Sequence, residues 1–146
     1  MMSHRSSTKE VDPRAYAAIR QLEAYISESG LDKVHYKLIK VRASQINGCA
    51  YCINMHTREA RKLGVSEQKL YLLSAWQETQ LYTEEERAIL ALTEEVTLIA
   101  KHGVSDAVYD KAVELLGEAY TKAVVMAVVT ISAWNRIAIT DHLALD

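Results

Sequence analysis

Three features of this 146-residue chain predict an all-α fold. Its apolar residues recur at helical spacing. Its one proline and five glycines fall at segment ends. No alternating strand run bounded by turns occurs anywhere in it. About six to seven helices are expected, packed as one domain over residues 11–146, behind a flexible N-terminal tail at 1–10.

The elements follow in order. Asp12-Pro13 is an N-cap followed by proline at the first helical position, and Gly30 can close that helix. Ile19, Leu22 and Ile26 lie along one of its faces. A second helix fits Asp32 to about Gln45, ended by Asn47-Gly48, a pair suited to a left-handed C-cap. A third begins at Cys49 and Cys52 and stops at Gly64. Ser66 can cap a fourth through Leu70, Leu73 and Trp76. Thr83-Glu84-Glu85-Glu86 is a capping box, and behind it Ile89, Leu90, Leu92, Val96 and Ile99 form an apolar face up to Gly103. Ser105 caps a short helix ending near Gly117. The last segment, Tyr120 to about His142, is apolar almost all round, as befits a central core helix or one pressed against another subunit.

Composition narrows the function. A net charge of −2 provides no broad basic surface, so nucleic acid is a poor partner. No stretch reaches roughly 18 uninterrupted apolar residues, and the last helix reads as too short for a membrane span. The N-terminus, MMSHRSSTKE, lacks the apolar centre of a signal peptide. A cytoplasmic, reducing location is therefore expected, where a lasting structural disulfide is disfavoured.

Chemistry concentrates in NGCAYCINMH, residues 47–56, which holds both cysteines. On a helix opened by Cys49, the residues Cys49, Cys52 and His56 sit at i, i+3 and i+7 on one narrow face. His56 is one turn from Cys52 and two from Cys49, so the imidazole serves Cys52 better. Cys49 lies nearer the helix N-terminus, which favours a thiolate. A staple closing so short a loop would contribute only about 2 kcal/mol and leave the histidine without a task. A zinc site would need a fourth ligand, His35 or His102, brought in by tertiary contact. Haem attachment fails because Ile53, not histidine, follows Cys52, and no βαβ pattern supports a thioredoxin reading. A dithiol–disulfide couple makes use of all three residues.

The run RASQINGCAYCINMHTREAR, residues 42–61, resembles the signature of the AhpD-like alkylhydroperoxidase family within the carboxymuconolactone decarboxylase superfamily. AYAAIRQLEAYISESGLD, SEQKLYLLSAW and AWNRIAI extend the resemblance over most of the chain. It implies an all-helical homotrimer or homohexamer that reduces hydroperoxides at a cysteine pair, with electrons from an external dithiol or lipoyl-type donor and with no metal or bound cofactor. Carried over by position, Cys52 is the peroxidatic cysteine, Cys49 resolves it, and His56 moves the proton. One departure stands out. The better-studied members carry a glutamate twelve residues before the first cysteine, where this chain has Lys37. Lys37 belongs either to a solvated stripe with Lys33 and Lys40 or to the site, as a cation that lowers a thiolate pKa. Two other functions compete: a non-catalytic redox sensor or assembly module, and a lactone decarboxylase, whose members generally lack the cysteine pair.

Overall fold

The computed structural model describes residues 3–145, and every described element is helical. The elements are α1 (Thr8–Val11), α2 (Pro13–Glu28), α3 (Lys33–Asn47), α4 (Ala50–Lys62), α5 (Glu67–Tyr71), a 3₁₀ stretch (Leu73–Glu78), α6 (Glu84–Thr97), α7 (Ile99–His102), α8 (Asp106–Leu116) and α9 (Glu118–Thr140). Six of them have seven or more residues, as expected.

The starts follow the capping chemistry of the sequence. Asp12, Asp32, Ser66 and Ser105 each accept a backbone N–H from the first turn of their helix. Thr83 and Glu86 form the reciprocal box at the head of α6. Two helices anticipated as continuous are broken. The fourth stops at Tyr71 and resumes as the 3₁₀ stretch, with Ala75 outside helical geometry. Contacts from α6 impose that break: Trp76 Nε1 donates to Glu94 (3.0 Å), and Arg87 donates to the carbonyls of Trp76 and Thr79. The fifth breaks at Leu98, where neither glycine nor proline marks the sequence.

Within the segment expected as a flexible tail, residues 3–10 make specific contacts. Ser7 and Glu10 form a capping box on α1. Thr8 N–H donates to the buried Asp141 carboxylate at 2.7 Å, and Arg5 donates to the carbonyl of Thr140. The start of the chain is thus fastened to the far end of α9; Met1 and Met2 lie outside the described residues.

Helix α9 is the hub. It packs on α2, α3, α4, α6 and α8 and buries Val124, Ala127, Val128 and Ile131. Burying each such aliphatic side chain contributes about 1.5–3 kcal/mol for the larger ones. At 23 residues α9 is long and apolar enough to cross a membrane by length and composition, contrary to the expectation above. Its packing gives it another role: it is the spine of the core, with Thr121, Thr130 and Asn135 buried in it. Both cysteines belong to the main core cluster, beside Ile39, Ala43 and Ala127. A second cluster, around Leu38, Val41, Leu73 and Leu90, fills the space between α3, α5 and α6.

Candidate active site

The site is built on the joint between α3 and α4. Gly48 takes the left-handed conformation (φ 73°, ψ 32°), which an L side chain adopts only at a cost. That turn lets Cys49 N–H donate to Ser44 O (2.9 Å) and Gly48 N–H donate to Gln45 O (3.3 Å), the paired bonds of a Schellman stop. Cys49, which completes the stop of α3, is also the N-cap of α4. Its Sγ accepts the Cys52 backbone N–H at 3.4 Å. No linker separates the two helices, so the first sulfur is held at the helix mouth.

Cys52 follows one turn later, and the two free thiols approach to 2.8 Å between sulfurs. Both are buried. Cys52, Met55, His56 and Glu59 all lie on the wall of one cavity of about 320 Å³. Tyr16, Arg20 and Glu23 of α2, Lys40 of α3, and Trp134, Ile137 and Ala138 of α9 complete most of it. Cys49 is absent from this wall. It borders a separate cavity of about 220 Å³, with Gly48, Ala50, Ile139 and His142. Tyr51, which the sequence places between the cysteines, stands between the two spaces and borders both.

The electrostatics differ from the expected lowered thiolate. Burial, followed by the hydrogen bond with Cys49, pushes the Cys52 thiol up, against smaller opposing effects of Asn135 and Lys40. His56 is held neutral: burial first, then the Lys40 and Lys37 ammonium groups, depress its pKa to about 4. The cavity wall therefore carries a Cys52 thiol whose ionisation is opposed and an unprotonated His56 imidazole, groups of the kinds that can serve as nucleophile and general base.

Lys37 fits neither of its anticipated roles. Its ammonium pairs with the Glu59 carboxylate, and the same Glu59 oxygen lies 3.3 Å from His56 Nδ1. Burial alone would raise Glu59, but its bonds to Lys37 and to His56 hold it below the usual carboxylate range. Where the resemblance led to a glutamate on α3, the chain has a lysine that grips a glutamate on α4. The solvated stripe is also corrected, since Lys40 is only 6% exposed. It pairs with Glu23 at 3.4 Å and sits 4.0 Å over the Tyr36 ring, and it is Lys40 whose charge acts on Cys52. Glu23 also accepts from Tyr36 Oη (2.7 Å) and Trp134 Nε1 (3.1 Å). Behind the sulfurs, Asn135 of α9 donates to Ser44 Oγ (2.9 Å) and accepts from Asn47 Nδ2 (3.0 Å), tying the Schellman turn to the hub helix.

The structure thus brings Cys49 to Cys52 and sets His56 on the cavity wall of Cys52 but not on that of Cys49, with Lys37 linked to His56 through Glu59. Glu59 was legible in principle, since it lies seven residues after Cys52 and three after His56 on the same helical face. Glu23, Lys40 and Asn135 arrive from other helices and carry no local signal.

Comparison with known sequences decides the lineage. The profile of the carboxymuconolactone decarboxylase family matches residues 13–95, more than half of the chain and all of the cysteine motif. The chain belongs to that family. Within it the sequence is 41% identical over 138 residues to the uncharacterized protein YdfG of Bacillus subtilis, covering 94% of each chain. A solved Agrobacterium tumefaciens protein of unknown function, described as a candidate antioxidant defence protein AhpD, superposes with a TM-score of 0.94 at 38% identity, covering 99% of both chains. An alkyl hydroperoxide reductase AhpD of Nocardia farcinica is 37% identical over 46 residues, 32% of this chain and 26% of that protein. The debrominase Bmp8 shares the fold with a TM-score of 0.82 at 19% identity, covering 92% of this chain and 73% of its own. This family member is therefore AhpD-like in sequence and in architecture.

Proposed function

We propose that this family member is a thiol-dependent hydroperoxide reductase. The single observation that carries the reading is the pair of free sulfurs 2.8 Å apart, with the second on the same cavity wall as a neutral histidine backed by a carboxylate. The AhpD-named relatives support it.

In the proposed cycle, a hydroperoxide enters the larger cavity and His56 takes the Cys52 proton. The thiolate attacks the distal oxygen, the O–O bond breaks, and the alcohol leaves with a proton, giving Cys52 sulfenic acid. Cys49 Sγ then attacks the Cys52 sulfur, forming the disulfide and expelling water. An external dithiol or lipoyl-type donor returns two electrons and two protons. Glu59 stabilises the imidazolium formed along the way, so it is a positioning residue rather than a catalytic one. A reducing cytoplasm, where such donors are abundant, and a homotrimeric or homohexameric assembly belong to the same reading.

The test is stoichiometric. One equivalent of cumene hydroperoxide should take the thiol count from two to zero without covalent dimers. Cys52→Ser should abolish the reaction, whereas Cys49→Ser should leave a sulfenic acid that dimedone traps. A thiol count that stays at two, or equal loss of reaction in both variants before any trapping, sinks the proposal. The burial that raises the Cys52 thiol favours slow chemistry and keeps a redox-sensing role in view. Sustained turnover with hydroperoxide and a dithiol separates enzyme from sensor.

A further inference from the structure

The two sulfurs open to different places. Cys52 and His56 border the larger cavity, while Cys49 and His142 border the smaller one, and neither cysteine borders both. Tyr51, Ala138 and Leu143 form the partition, since they alone line both spaces. Each cavity therefore pairs one cysteine with one histidine.

We propose that the smaller cavity is the entrance for the reducing dithiol, which attacks Cys49, so that oxidant and reductant reach the pair from opposite sides of Tyr51. This rests on the dithiol–disulfide cycle proposed above and assigns a docking site within it.

Three observations carry the assignment. The first is size and lining. The space is about 220 Å³, below the roughly 300–1,000 Å³ of sites that enclose a drug-sized ligand. Its walls are mainly Ala50, Ala138, Ile139, Leu143 and the Tyr51 side, which suit the end of a slim aliphatic arm. The second is a base. His142 Nδ1 lies 3.0 Å from the carbonyl oxygen of Ser3, which can only accept, so Nδ1 carries the hydrogen. In the neutral ring Nε2 is then left to take a proton from an incoming thiol. His142 is also the one described non-glycine residue at positive φ (53°), a conformation that histidine tolerates better than most residues and that the surrounding structure has to hold in place. The third is the leaving group. Attack at Cys49 expels Cys52 sulfur into the cavity that holds His56, where the imidazole can pass a proton from solvent to the departing thiolate.

The step balances. The first donor thiol gives its proton to His142 and so to solvent, its sulfur bonds to Cys49 Sγ, the Cys49–Cys52 bond breaks, and Cys52 leaves as a thiolate that takes a proton from solvent by way of His56. The donor's second thiol then attacks its own first sulfur, closing the donor disulfide and releasing Cys49. Two electrons and two protons pass to the pair.

The experiment starts from protein oxidised with diamide, so it does not depend on peroxide chemistry. Reduction by dihydrolipoamide is followed by stopped-flow tryptophan fluorescence and by mass spectrometry. Ile139, at 43% exposure, and the exposed Ala50 border only the smaller cavity, so Ile139→Trp and Ala50→Trp plug it from two sides without entering the core. Each should slow reduction by about tenfold, because thiol–disulfide exchange depends on access to the attacked sulfur. Oxidation by cumene hydroperoxide should be unchanged in both. Met55→Trp, which fills only the larger cavity, should show the reverse. His142→Asn should slow reduction at neutral pH and lose that defect at alkaline pH, where the donor is already thiolate.

Wild-type reduction rates in both plugged variants overturn the entrance, as does equal slowing by Met55→Trp. A plugged variant that reduces normally but changes its mass by light scattering assigns the cavity to a contact between copies, and also overturns it. Failure of peroxide to oxidise the wild type, with these reduction results intact, sinks the peroxidase reading alone.

Discussion

At the scale of single residues, the proposed proton relay rests on an exchange of charges. A lysine stands where the resemblance placed a glutamate, and it holds Glu59 against His56. Glu59→Gln should lower kcat/KM for hydroperoxide about 10- to 100-fold, since it removes the carboxylate that balances the imidazolium. It also leaves the Lys37 ammonium unpaired beside the ring, which opposes protonation further. Lys37→Met added to Glu59→Gln should therefore recover part of the loss, a non-additivity that steady-state kinetics on the four proteins measures. Strict additivity would mean that Lys37 acts elsewhere. His56 gives a second expectation, in stability. Its folded pKa of about 4 lies below the ordinary 6.5, so between those values the unfolded chain binds a proton that the folded chain refuses. Stability should fall as pH drops from about 6.5 to about 4, by on the order of 3 kcal/mol, and this contribution should flatten below that. Urea midpoints against pH, wild type beside His56→Gln, isolate it; parallel curves would refute the neutral buried ring.

At the scale of elements, the joint between α3 and α4 fixes the sulfurs, and Gly48 fixes the joint. Gly48→Ala meets no neighbouring atom but must adopt a positive φ, so it should cost about 1–2 kcal/mol in chemical denaturation. Because the strain falls on the residue before Cys49, it should also slow disulfide closure; stability loss with closure unaffected would mean the turn does not govern the pair. This joint was readable from Asn47-Gly48 and the cysteine spacing, because caps and helical period are local signals. So were the starts of α2, α3, α6 and α8. The breaks at Ala75 and Leu98 were not, the first because Arg87 and Glu94 impose it from another helix. For the same reason Cys49, Cys52 and His56 could be read from one helix, while Glu23, Lys40 and Asn135 needed the packing of α2, α3 and α9 around it. The expectation of a lowered thiolate at Cys52 failed on burial, a quantity that sequence spacing does not contain.

At the scale of the whole molecule, the apolar excess of α9 is largely spent inside the chain. Val124, Ala127, Val128 and Ile131 are core residues, so a charge at Val128 would unfold the domain rather than dissociate an assembly. Val129 and Ile139, each 43% exposed, are the large apolar side chains α9 leaves outside. If the proposed homotrimer or homohexamer forms through α9, Val129→Glu should reduce the mass seen by light scattering while leaving the circular dichroism spectrum and melting transition of the subunit in place. A wild-type protein that is already monomeric at micromolar concentration ends that proposal, and an unchanged assembly in Val129→Glu moves the interface away from α9.

The sulfur that caps α4 has one further consequence. Cys49 Sγ accepts the Cys52 N–H in the reduced protein, yet it is the same atom that must bond to Cys52 Sγ on oxidation. In the proposed oxidation the sulfurs close from 2.8 Å to a bond of about 2.05 Å, so the atom that caps α4 moves and the capping bond should change in length and angle. Amide hydrogen exchange at Cys52 and Ile53 thereby becomes a gauge of oxidation state. A spectroscopist can follow the redox poise of the pair from the backbone, with no thiol reagent added.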